Sequence, residues 1–443
     1  GVEMNISKTS SFNLKAVLHE TGITADALRA WERRYGLPLP ERTPGGHRLY
    51  SQYDIEIIKW LMAKQVDGIS ISHAVDMWKE QINSNVDPLG DLPSPAYAPH
   101  QTTLIQNLET SLDTLRAQWI AACLEFNETA AEQSLNQAFS MFPVETVCMD
   151  VLQKGLAEIG ELWYENHASV QQEHFASGLA MRRLDTLLSA SPSPWRKQTV
   201  IIGCPANEWH AFMPLLLSLF LRRRGLNIIH LGVNVPNDQF TTSAASVRTN
   251  LVILVAQTLV TAATLQHTAL AMVNQGIPMA YGGCIFNLQP SIVGSIPAHF
   301  LGGNLIDSLD EVEGLLQTKK TAVQAKHISK DYLAAYQYFT SRRPEIELTL
   351  RKMIQPLSIS PENLMSGIDH LGDNIAASLQ LGDMNYVSGE MDWLKTLIKT
   401  HGQSVQELLN FINAYAKSVD QHINDSGRPI IEWLSSEIDR LHA

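Results

Sequence analysis

Cysteine is scarce: 443 residues hold only Cys123, Cys148, Cys204 and Cys284, far apart and never in C-x-x-C spacing. That excludes a disulfide framework and a cysteine-based zinc site, and it suits a reducing cytoplasm. Long hydrophobic runs are missing too, so no membrane span is expected. The opening Gly1-Val2-Glu3-Met4 lacks the basic-then-apolar order of a secretory signal, and its first three residues read as a tag remnant. Positive charge is in deficit, with 33 Lys and Arg against 45 Asp and Glu and a net charge of −12. A uniformly acidic chain would be repelled by nucleic acid, so the distribution decides. Residues 1–80 carry ten basic and ten acidic side chains, and the remainder carries the whole deficit. Within residues 29–48 lie Arg29, Arg33, Arg34, Arg42 and Arg48 against Glu32 and Glu41. An acidic body with one arginine-rich end fits a protein that touches DNA only there.

The length calls for several domains, and the expected class is multidomain α and α/β. Residues 10–82 read as short helices with a small β-wing: a helix from Asn13 to His19, then one capped by Thr24 and running to Tyr35. A tight turn at Thr43-Pro44-Gly45-Gly46 is flanked by Arg42 and by His47-Arg48-Leu49-Tyr50, and Ser51 caps the next helix. Residues 83–102, rich in Pro, Asn, Ser and Asp, read as a linker. Residues 103–192 show helical periodicity throughout and predict a four-helix bundle. Residues 197–322 alternate continuous apolar runs (Thr199–Ile202, Asn227–Leu231, Leu251–Val255, Pro278–Tyr281, Phe300-Leu301) with helices. That pattern predicts a doubly wound, flavodoxin-like parallel sheet whose ligand edge is the C-terminal end of the strands. Residues 327–443 read as a further all-helical domain, with apolar spacing at Leu408, Leu409 and Ile412.

Three constellations carry chemistry. The first runs from Arg29-Ala30-Trp31-Glu32-Arg33-Arg34-Tyr35 to Arg42 and His47-Arg48-Leu49-Tyr50. A recognition helix needs arginines for phosphates and base edges, and a wing reaches the neighbouring backbone. Thr24, Arg29, Arg33, Arg34, Tyr35, Arg42, His47, Arg48 and Tyr50 are the candidate DNA contacts, although each arginine alone could belong to a solvated face. The second is Trp163, nine intervening residues, then Glu173-His174, which taken alone is as readily a core indole beside an exposed pair. The third is Glu208-Trp209-His210, directly after the first strand of the sheet. There an imidazole can coordinate a metal and the carboxylate can orient the ring, while a surface histidine at a helix start remains the plain alternative.

Residues 10–82 resemble the MerR family of transcription regulators, which bind double-stranded DNA as dimers. The bundle and sheet resemble the cobalamin-binding module, and the whole of residues 10–320 looks like the light-responsive MerR-type repressors of the CarH and LitR kind. The resemblance implies adenosylcobalamin, with His210 as the lower axial cobalt ligand in place of the dimethylbenzimidazole tail. It places Trp163 against the upper adenosyl group, with Tyr164, Val170, Glu173 and His174 lining that face. Glu208 and Trp209 flank the ligand, and the tail slot falls on Leu231, Gly232, Asn234, Val235, Gln257, Leu259, Gly282 and Gly283. Three positions depart from the pattern: Met213 replaces a glycine, Gln257 a serine, and Tyr164 the histidine of the known light sensor.

The resemblance also implies a homo-oligomer, and no heptad segment follows the DNA-binding module to supply one. Residues 327–443 lie outside the repressor pattern and are vaguely similar to the extra helical domain that holds a bilin in some cobalamin photoreceptors. They contain no cysteine, so a linear tetrapyrrole there would not be thioether-bound to them; assembly is the competing expectation. A cobalamin enzyme would need a substrate domain such as a TIM barrel of roughly 250 residues, which no segment supplies. A MerR regulator that senses another ligand through the same fold stays open.

Overall fold

The computed structural model describes residues 8–43, 47–84, 88–89, 111–318, 321–354, 361–400, 402 and 404–442. The expected turn at Pro44-Gly45-Gly46 and most of the expected linker lie outside them. The chain divides into two compact units: residues 1–163, 167–198 and 215–228, and residues 164–166, 199–214 and 229–443. Among the described residues no helix is long and apolar enough to cross a membrane.

The first unit begins with β1 (Ser10–Asn13), α1 (Leu14–Thr21), α2 (Ala25–Tyr35), β2 (Glu41–Arg42), β3 (Arg48–Ser51), α3 (Gln52–Val66) and α4 (Ile71–Asn83). The strand β1, too short to alternate legibly, is absent from the sequence reading, yet it pairs antiparallel with β3 in a sheet of order β1-β3-β2. The Thr24 hydroxyl accepts from the Ala27 N–H at 3.2 Å and starts α2, and Gly36 in a left-handed conformation ends it. Ser51 and Asp54 form a reciprocal capping box on α3. Val17, Leu28, Trp31, Ile58, Leu61 and Trp78 fill one small core. Leu89, expected in the linker, is buried in it as well.

The same unit continues with α5 (Leu112–Leu124), α6 (Glu128–Met141), α7 (Val144–Val147), a π-helical stretch (Cys148–Gln153), α8 (Lys154–Tyr164) and α9 (Val170–Ala190). Gly155 is required where it stands, because a Cβ there would lie 2.8 Å from the Trp119 ring. The Gln65 amide donates to the Ala190 carbonyl at 2.7 Å, tying α3 to the end of α9.

The second unit is built on β4 (Thr199–Gly203), β5 (Asn227–Gly232), β6 (Leu251–Val255), β7 (Met279–Gly282) and β8 (His299–Phe300), in the order β5-β4-β6-β7-β8. The pairs β4–β6, β6–β7 and β7–β8 are parallel. Numbered along the sheet this is 2-1-3-4-5, the flavodoxin-like winding, whose ligand crevice opens where the chain changes direction between β4 and β6. Around the sheet run α11 (Asn237–Val247), α12 (Leu259–Asn274), α13 (Cys284–Leu288) and α14 (Leu305–Gln317), while α10 (Phe212–Arg223) falls mostly in the first unit. The residues Val252, Ile253 and Leu254 of β6 are fully buried, as a strand covered on both faces requires.

The C-terminal helices are α15 (Lys330–Ile354), α16 (Pro361–Leu381), α17 (Asn385–Thr400), α18 (Val405–His422) and α19 (Arg428–His442). They do not stand apart from the sheet: Ile201, Leu265 and Tyr281 belong to the same cluster of buried side chains as Phe339, Ile375, Ile412 and Trp433. An all-helical segment reads as its own domain in sequence because helix periodicity marks a buried face without naming what covers it. Here α16 packs on α12 of the sheet layer.

Candidate functional sites: a helix-and-wing surface and a crevice at the sheet edge

In α2 the spacing of apolar residues turns Ala27, Leu28 and Trp31 inward and leaves Arg29, Arg33 and Arg34 exposed on the opposite side. Arg29 makes a loose contact of 3.7 Å with Asp26. Arg42 and His47, at the base of the wing, are also exposed, whereas Tyr35 is half-buried against the core. Thr24 spends its hydroxyl on the helix cap.

Two expected DNA contacts are placed differently. Tyr50 is 0% exposed, and its hydroxyl donates to Glu32 Oε1 at 2.6 Å. Arg48 donates through Nε to Glu32 Oε2 at 2.7 Å. Burial first, then the hydrogen bond to Glu32, pushes the Tyr50 phenol far above its ordinary value. Glu32, with a side chain only 11% exposed, thus ties the wing strand to the recognition helix. Tyr50 belongs to that tie and not to the DNA surface. The signal was present in sequence as one carboxylate amid the arginines of the helix, but a partner 16 or 18 residues away has no periodicity to announce it.

The second site sits where β4 and β6 end. Glu208 is 1% exposed and takes four hydrogen bonds. Its Oε1 accepts from the His210 ring at 2.6 Å and from the His210 N–H at 3.1 Å. Its Oε2 accepts from the Gln257 N–H at 2.7 Å and from the Thr261 hydroxyl at 2.5 Å. Burial alone would raise the carboxyl, but the bonds from His210, Thr261 and the two backbone N–H groups outweigh it and hold Glu208 below its ordinary range. A carboxylate fixed in this way favours the proton on His210 Nδ1, the tautomer that puts the lone pair on Nε2. The His210 side chain is 66% exposed, and so is Trp209 beside it.

Neighbouring loops are zipped to this one. The Asn234 side chain accepts from the Asn207 N–H at 2.8 Å, and the Asn234 N–H donates to the Glu208 carbonyl at 2.9 Å. The Gln257 side-chain oxygen accepts from the Cys284 N–H at 2.9 Å, bridging the ends of β6 and β7. Gly283, at φ +130°, passes so close to Ala256 that a Cβ would meet its carbonyl oxygen at 1.8 Å. Around Gly232 and Gly282, by contrast, a Cβ would meet nothing within 4 Å, so the crevice is open at the ends of β5 and β7. Leu231 and Val235 lie half-buried against the core. Leu259 is 0% exposed and faces the core, so its expected place in the slot is corrected: as the first residue of α12 it packs inward. Thr261, two residues and about half a turn further on, bonds Glu208 instead, and nothing in sequence links the two across 53 positions.

The remaining candidates belong mostly to the first unit. Trp163 lies half-buried in the last turn of α8, Val170 begins α9 exposed, and Glu173 Oε2 lies 2.7 Å from His174 Nδ1. Phe126 and Phe175, absent from the sequence reading, meet edge to face there at 5.4 Å. Tyr164 is half-buried and falls in the second unit.

Residues 12–81 match the profile of the MerR HTH family regulatory protein, and residues 115–188 that of the B12 binding domain. The chain is 26% identical over 300 residues to the HTH-type transcriptional repressor CarH of Myxococcus xanthus, covering 67% of this chain and 96% of that protein. It is 27% identical over 247 residues to CarA of the same organism, covering 55% of this chain and 76% of CarA. Among solved structures, the monomethylamine corrinoid protein of Methanosarcina barkeri is similar at 16% identity and a TM-score of 0.39, covering 46% of this chain and 97% of that one. That last likeness is too loose to carry an argument. The chain joins a MerR-type helix-turn-helix regulatory module to a B12-binding domain, and it is a homologue of the CarH and CarA transcriptional repressors.

Proposed function

We propose that this protein is a cytoplasmic repressor that grips a double-stranded DNA operator through residues 10–82 and is switched by cobalamin held at the sheet edge. The observation that carries the reading is the exposed His210 ring fixed by the buried Glu208. The residues fit the group: an oriented imidazole offers one ring nitrogen to cobalt, and open space at Gly232 and Gly282 leaves room for a nucleotide tail against backbone. When bound, adenosylcobalamin supplies a cobalt–carbon bond that light can break. The chain's own part is to orient the His210 ring through Glu208 and to convert the bound state into homo-oligomer assembly and operator affinity. A ligand shifts such an equilibrium only through unequal contacts in the two states. The relatives named above are regulators, and we read this chain as a regulator and not an enzyme.

We read the C-terminal helices as packing and assembly elements, because their buried faces are spent on the sheet's own core. A bound linear tetrapyrrole would instead add a red absorption band. The test of the main reading is the absorption spectrum of purified protein loaded with adenosylcobalamin, before and after illumination, beside His210→Ala. The wild type should show histidine-ligated cobalt and a light-driven change, and the variant should lose the first and release the cofactor readily. A variant with unchanged spectrum and retention would sink the assignment.

A further inference from the structure

Within the first unit the MerR-type module is seamed to the bundle and to α10. Beside the Gln65 bond to the Ala190 carbonyl, the half-buried Trp195 packs against the module's own core. Trp195 also closes on the residues that end α10, where its N–H donates to the Gly225 carbonyl at 3.1 Å. Gly225, at φ +90°, is required there, because a Cβ would lie 2.2 Å from the Trp195 ring. A Cβ on Gly22 would meet the Pro143 side chain at 3.0 Å, so the turn before α2 rests on the residue that opens α7. Thr24, Ala27 and Trp31 of α2 line a small cavity together with Gln65, Pro192 and Arg223, the last residue of α10. Arg223 is itself held there, donating through Nε to Glu145 Oε1 at 2.7 Å.

The same helix begins at Phe212, two residues after His210. Every residue from Pro214 to Leu221 is buried, so α10 has no free face along which to bend or slide. Its 12 residues span about 18 Å. We propose that α10 carries the state of His210 to the recognition helix of the same chain, through the seam at Trp195 and Gln65. The inference rests on the cobalamin reading above and adds a route within one chain, separate from the assembly of copies. His210, once it ligates cobalt, pins the start of α10, and the pinned helix tightens the seam and steadies α2. The seam leaves Arg29, Arg33 and Arg34 exposed, so it sets how firmly the reading surface is held without covering it. Trp31 Nε1 is buried without a hydrogen-bond partner among the described residues. The closed seam therefore holds a cost that a rearrangement can relieve, as a reversible device requires.

The experiment is amide hydrogen exchange of the full chain, with and without adenosylcobalamin in the dark, in wild type, Trp195→Ala and Gln65→Met. In wild type, loading should slow exchange in the loop of residues 204–211 and, by about threefold, in α2. Trp195→Ala should keep the protection of the loop and lose that of α2. Gln65→Met, which keeps the volume and removes one donor, should lose part of it, so a misfolded Trp195→Ala does not remove the test. Protection of the loop with α2 unchanged in wild type overturns the inference and leaves the cobalamin reading standing. Protection of α2 that persists undiminished in both variants overturns it too, because the signal would then travel by another route, such as contacts between copies. A wild type in which loading protects neither segment overturns the cobalamin reading and this inference with it.

Discussion

Glu32 and Glu208 solve the same problem in two regions. Each is a carboxylate taken largely out of water and used to hold a functional element: Glu32 binds the wing strand to the recognition helix, and Glu208 binds the His210 ring to the sheet edge. They differ in how far their partners lie along the chain. Glu208 meets His210 two residues away, so Glu-x-His shows in the sequence as a unit. Glu32 meets Arg48 and Tyr50 across a helix end and a turn, and nothing local marks the connection. The difference also sets how much each can bear. Glu208 has four donors and 1% exposure, whereas Glu32 has two donors and some water.

The comparison predicts the largest effect for Glu208→Ala. That change strands the Gln257 N–H and the Thr261 hydroxyl in a buried place and frees the His210 ring. Two unsatisfied donors at about 1–3 kcal/mol each imply a loss of a few kcal/mol, seen as a lower melting temperature, together with loss of cobalamin retention. Glu208→Gln should recover part of the stability and less of the retention. A melt unchanged by the alanine substitution would show that the two carboxylates are equivalent surface groups and break the contrast.

Glu32→Ala comes next. Releasing Arg48 and Tyr50 should cost about 1–3 kcal/mol of stability and weaken operator binding, because the wing loses its register against α2. Glu32 neutralises no phosphate, so the salt dependence of binding should keep its slope. Arg33→Ala separates the two kinds of effect: it should leave the melt alone and lower the slope of log affinity against log salt by about one. If Arg33→Ala and Glu32→Ala gave the same salt slope, the division between contact and support would fail.

How much of this was legible follows from the same distances. Strands β4 and β6 could be read because each carries a continuous apolar run, and the caps at Thr24 and Ser51 because their signals span three residues. The Glu208–His210 pair was legible as chemistry. Its anchors at Gln257 and Thr261 were not, since they arrive through folding of the sheet. Leu259 was misplaced for a related reason: a residue beside Gln257 in sequence turns away from the crevice once α12 begins. The partnership of the C-terminal helices with the sheet was illegible because amphipathic spacing reveals that a face is covered but not by what.

The smallest effect is expected from Tyr50→Phe, and it decides most directly between the two readings of the wing. The ring itself is fully buried in the core of the helix-turn-helix module, and phenylalanine fills the same space. Only the hydroxyl is lost, and with it the 2.6 Å bond to Glu32 Oε1. Glu32 keeps Arg48 and enough exposure for water to reach the vacated oxygen, so the cost should lie at the low end for one hydrogen bond, about 0.5–1.5 kcal/mol. If Tyr50 serves the tie, the melting temperature falls slightly while operator affinity and its salt slope barely move. If Tyr50 instead touched DNA, the melt would stay put and the affinity would fall. Its exposure of 0% argues for the first outcome, because a side chain that water cannot reach offers no surface to a phosphate or a base.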